Sequence, residues 1–116
     1  MNVFRRIILT SILLHIGSNM AWADEVNLEG LKWTEQKCVL YQRAWDWAYD
    51  SIGPDGISTK FISQNNSFVA SGCIERTVVC PRSDEELDMA NMLTVMTMNE
   101  GMASTFVPFT CREETQ

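Results

Sequence analysis

Three sets of residues in this chain have types and spacings that could do chemistry: four cysteines, a cluster of methionines and a run of acids. Met89, Met92, Met96, Met98 and Met102 fall within fourteen residues. Thioethers are soft ligands that suit Cu(I). On a helix, however, Met96 and Met98 would point about 200° apart, whereas Met92 and Met96 share a face. Flexible methionines also fill cores and line grooves that repack around partners. The core reading is favoured, and no metal or cofactor is expected.

Asp84, Glu85, Glu86 and Asp88 could serve as acid and base, or pair with a basic partner. Acids at a helix start are also stabilised by the positive end of the helix dipole. A glycosidase would need two placed carboxylates in a cleft with aromatic walls, for which a short chain has little room. The one histidine, His15, precedes the cleavage site described below, so the exported chain would lack the usual general base. Serine and threonine are plentiful but have no evident activating partner. The chain is read as a binding protein and not as an enzyme.

The first residues have the pattern of a secretory signal: Arg5 and Arg6, an apolar run over 7–16, and Ala21-Trp22-Ala23 as a cleavage site. The apolar run is about ten residues, half of what a membrane-spanning helix needs, so no stable anchor is expected after cleavage. The first cysteine, Cys38, is too distant to carry a lipid at the cut. The expected organisation is a signal peptide over 1–23 and one disulfide-stabilised domain over 24–116, exported to the periplasm. That domain carries seven basic and fifteen acidic residues, a net charge of −8. Such a balance disfavours nucleic acid and anionic membrane, which are held by Lys and Arg, and points to a basic protein partner.

A single small domain has a core of marginal stability, so four cysteines in an oxidising compartment read as two disulfides rather than a zinc site. Three connectivities are open. The turn near Asp55 lies about midway between Cys38 and Cys73, which favours that pair and leaves Cys80 with Cys111. The alternative joins Cys73 to Cys80 and Cys38 to Cys111.

These side chains need elements to position them. From Leu31 to Ile52, Cys38, Tyr41, Trp45, Ala48 and Ile52 share one helical face, opposite Gln36, Arg43, Asp46 and Asp50. Leu40 and Trp47 lie off that face. They either meet a third element or act as partner-binding anchors, the latter because exposed Trp is a typical interface hot spot. Ile52-Gly53-Pro54-Asp55-Gly56 reads as a turn. Residues 58–73 admit two readings: a helix with Phe61, Asn65, Phe68 and Val69 on one side, which is favoured, or a hairpin across Asn65-Asn66 that extends toward residue 80. Ser83 and Glu86 have capping-box spacing and predict a third helix that ends near Gly101. Leu87, Ala90, Leu93 and Thr97 would form its core stripe, with Met89, Met92 and Met96 alongside. Phe106, Val107 and Phe109 are expected to fold back and close the core.

The succession CVLYQRAWDWA, VVCPRSDEEL and FVPFTC resembles small exported immunity proteins that neutralise amidase effectors of type VI secretion. The matching positions are Cys38 and Tyr41, Cys80 and Pro81, and Cys111. Trp45 and Trp47 stand where that group has glycine-rich spacing. The resemblance implies a mostly helical fold and a periplasmic inhibitor that occludes a peptidoglycan amidase. From the residues themselves, the expected fold is a small, disulfide-stapled, mostly α domain, with an α+β form carrying a hairpin over 58–80 as the alternative. The expected function is protein binding, through Leu40, Trp47, Asp84, Glu85 and Asp88. Alternatives are a periplasmic chaperone or copper-binding protein that uses the Met-rich helix, and an accessory component of an envelope secretion or conjugation system.

Overall fold

The computed structural model describes residues 27–112. The expected signal and its cleavage site lie outside the described residues. Three helices follow in order: α1 over Trp33–Ile52, α2 over Thr59–Ala70 and α3 over Asp84–Asn99. The fold is therefore mostly helical and stapled, and the hairpin over 58–80 is overturned. The only β pairing among the described residues is an isolated parallel bridge between Val79 and Phe109. The reason is local. Ser58 caps α2, its hydroxyl accepting from the Phe61 N–H at 3.1 Å, and Phe61, Asn65 and Phe68 recur at helical spacing on a buried face.

In α1 the buried residues are Cys38, Tyr41, Ala44, Trp45 and Ala48. They fit the predicted stripe, with Ile52 half-buried against the same core. The helix starts two residues later than the sequence pattern implied, at Trp33. It ends where Gly53, at φ +84°, donates its N–H to the Tyr49 carbonyl at 2.8 Å. A left-handed residue of this kind is where glycine is favoured.

Helix α2 runs antiparallel to α1, since the Cys38–Cys73 disulfide ties the start of α1 to the end of α2 and Trp45 faces Phe61 with ring centroids 5.5 Å apart. Helix α3 packs along α1. The returning segment completes the core. The Phe106 ring meets Tyr41 and Phe68, each at 6.0 Å, and Phe109 stacks on Phe61 at 6.1 Å. The Thr110 N–H donates to the Val79 carbonyl at 3.0 Å, and Cys80 is bonded to Cys111. Both favoured cysteine pairs are thus formed, and no cysteine is free among the described residues.

One packing expectation needs correction. Leu87 was placed on the core stripe of α3, but it is 45 % exposed, and the stripe instead runs Glu86, Met89, Ala90, Leu93 and Thr97. The hydrogen bonds that Glu86 makes turn its side chain inward. Its neighbour Leu87, about 100° further around the helix, faces out.

At the centre of the core the Tyr41 hydroxyl donates to Asn65 Oδ1 at 2.6 Å, with both residues fully buried. Burial pushes the phenol pKa far above its ordinary value, so the hydroxyl stays a donor. Tyr41→Phe is expected to lower stability by about 1–2 kcal/mol, because it leaves the buried Asn65 oxygen without this partner. Urea denaturation followed by circular dichroism measures the loss. An unchanged midpoint would show that this bond contributes nothing net.

Candidate protein-binding site

The residues expected to meet a partner fall in two places. Leu40 and Trp47 are seven residues apart on α1 and so lie on nearly the same side of the helix. Together with Arg43 and Ala44 they form one wall of a groove whose other wall is Met96 and Glu100 from α3. Leu40 is half-buried, whereas Trp47 is 57 % exposed although large and apolar. Packing against the third helix and exposure therefore coexist here: Leu40 lies in the seam and Trp47 stands at its mouth. Asp46 and Asp50, both exposed, lie one residue before and three after Trp47 on the outward side of α1. The groove is lined by the apolar Leu40, Ala44, Trp47 and Met96, with one base, Arg43, and one acid, Glu100.

The methionines divide in the same way. Met89 is fully buried and Met102 nearly so. Met92 and Met96 are half-buried against the core, and Met98 is half-exposed on another side of α3. Met96 is the one that reaches the groove.

Asp84, Glu85 and Asp88 sit at the opposite end of α3, about 12–18 Å along the axis from Met96 at 1.5 Å per residue. Asp84 and Asp88 are exposed. Glu85 is half-buried over the α1–α2 turn, where a Cβ at Gly56 would run into its carboxylate. The structure therefore joins Leu40 to Trp47 but leaves the three acids as a separate group in the first two turns of α3.

Among those acids the consequential residue is Glu86, which is 2 % exposed. Oε1 accepts from the Arg82 N–H at 2.9 Å and the Ser83 N–H at 3.3 Å. Oε2 accepts from the Ser58 N–H at 2.9 Å and the Ser58 hydroxyl at 2.7 Å. Ser83 in turn accepts from the Glu86 N–H at 3.0 Å and donates to the Gly56 carbonyl. One carboxylate thus completes the capping box of α3 and also binds the cap residue of α2. Burial alone would raise its pKa, but the four hydrogen bonds outweigh this and hold the carboxyl below its ordinary value. The capping box was legible in the sequence. The link to Ser58, twenty-eight residues away, was not, although Ser58 two residues after Gly56 does carry its own cap signal.

Comparisons with protein-family models, with curated proteins and with solved structures give no significant match for this chain.

Proposed function

We propose that this domain is an exported protein-binding module that inhibits a basic, cell-wall-acting enzyme, acting in the periplasm as an immunity protein. The observation that carries this reading is Trp47, a large apolar side chain held at the mouth of an α1–α3 groove with Asp46 and Asp50 beside it. Hot spots of protein interfaces are enriched in Trp, and acidic surroundings steer and orient a basic partner. A fold held by two disulfides suits an oxidising compartment. The resemblance to inhibitors of peptidoglycan amidases, carried by Cys38, Tyr41, Cys80, Pro81 and Cys111, supplies the class of target.

The test is a titration of the purified protein against a panel of cationic peptidoglycan amidases, with wall hydrolysis and complex formation both measured. Inhibition of one of them at stoichiometric concentration is expected. Trp47→Ala should weaken that complex by about tenfold or more while leaving the melting temperature nearly unchanged, because the side chain is mostly exposed. If no wall enzyme is bound or inhibited, the reading fails.

A further inference from the structure

At the other end of α1 there is a second cavity, of about 330 Å³, between the first turns of that helix, the α2–α3 loop and the returning C-terminal segment. Its lining combines Lys37, Arg76, Thr34 and Thr105 with the apolar side chains of Phe68, Phe106 and Ile74. No carboxylate lines it, which stands out in a chain with fifteen acids and nine bases. The Lys37 ammonium is held 5.1 Å from the centroid of the Phe106 ring, a cation–π arrangement that fixes the charge at the rim. The Cys38–Cys73 disulfide pins two of the walls together, so the cavity is formed before any ligand arrives. Ile74, 70 % exposed at the mouth, leaves apolar surface unburied there.

We infer that this cavity binds an amphiphilic carboxylate, a single carboxylate attached to a small aliphatic body. The carboxylate would lie between Lys37 and Arg76, with Thr34 and Thr105 as hydroxyl donors, because a guanidinium and an ammonium together supply charge-assisted bonds to one anion. The aliphatic body would cover Phe106 and Ile74. A free organic acid and the C-terminal residue of a peptide present the same chemistry. The cavity is separate from the Trp47 groove and stands whether or not that groove binds an enzyme.

The test is an NMR titration of ¹⁵N-labelled full-length protein with N-acetyl-leucine, its amide, inorganic phosphate, and an acetylated tetrapeptide that ends in leucine with a free carboxylate. The acid should bind about tenfold more tightly than the amide and more tightly than phosphate. The shifted amides should be those of Thr34, Lys37, Ile74, Arg76 and Thr105. Lys37→Gln and Arg76→Gln should each reduce acid binding by about the same factor and leave amide binding unchanged. A tetrapeptide that binds more tightly than N-acetyl-leucine identifies a chain terminus as the ligand, and equal affinities identify a free acid. Equal binding of acid and amide, stronger binding of phosphate, no binding at millimolar concentration, or shifts located elsewhere would each overturn the inference. The comparison of acid with amide on the unmodified protein decides the matter even if a variant fails to fold.

Discussion

Glu86→Ala is expected to destabilise the domain by about 3–4 kcal/mol, a large part of the 5–15 kcal/mol typical of a whole small domain. The substitution strands the part-buried N–H groups of Ser58, Arg82 and Ser83, all of which donate to this carboxylate. Glu86→Gln keeps the shape but turns an amide NH₂ toward one pair of donors, and it should cost less than alanine but clearly more than nothing. A double-mutant cycle of Glu86→Gln with Ser58→Ala isolates the part that joins α2 to α3. Coupling near zero would mean that the Ser58 hydroxyl bond to Glu86 contributes nothing net.

The same carboxylate sets the acid limb of stability. Its pKa is lowered in the fold, so the unfolded chain binds the proton more readily. The contribution is fully present above the unfolded-state pKa and is lost as pH falls through the folded one. Stability should therefore decline from about pH 5 downward, and Glu86→Gln should flatten that decline. An acid limb of unchanged slope in the variant would assign the effect to other groups.

Opening both disulfides should produce the other large effect. The bridged residues are 35 and 31 positions apart, and closing loops of that length is worth about 3–4 kcal/mol each on chain-entropy grounds. Together this approaches the whole stability of the domain, so the reduced protein should be mostly unfolded at 37 °C by circular dichroism. Cys111 is exposed whereas Cys38 and Cys73 are buried, so Cys80–Cys111 should open first under mild reductant. A reduced chain that keeps its helical signal and melting temperature would show that the helices need no staples.

Much of this architecture could be read from residue spacing because the signals involved are local or symmetric. The Ser83–Glu86 box starts α3 where expected. The turn at Gly53 and Gly56 lies midway between Cys38 and Cys73, which is why an antiparallel pair of helices brings those thiols together. What could not be read are interactions whose partners are distant in the chain. Leu87 and Glu86 exchange inside and outside because a serine on another helix supplies two donors to the acid, and hydropathy alone ranks them the other way. The hairpin alternative failed because period-two and period-3.6 patterns are nearly degenerate over a short segment such as 61–69, and the cap at Ser58 breaks the tie. Of the residues expected to bind a partner, Leu40 and Trp47 converge because they lie seven apart on one helix. Asp84, Glu85 and Asp88 belong to the first two turns of α3, at the far end of that helix from Met96. The cavity between Lys37, Arg76 and Phe106 joins three segments spread over seventy residues, and no spacing rule links them.

The order of the bridges along the chain bears on biogenesis. Each cysteine is joined to its next neighbour, Cys38 to Cys73 and Cys80 to Cys111, so the two covalent rings neither overlap nor enclose one another. A polypeptide threaded N-terminus first through a translocation channel would present its thiols in that same order. An oxidase that simply joins the two most recently delivered thiols would complete the first ring before Cys80 emerged, and would then close the second. A chain exported in that way would reach this connectivity without a disulfide isomerase, and its yield should then be indifferent to the loss of that activity.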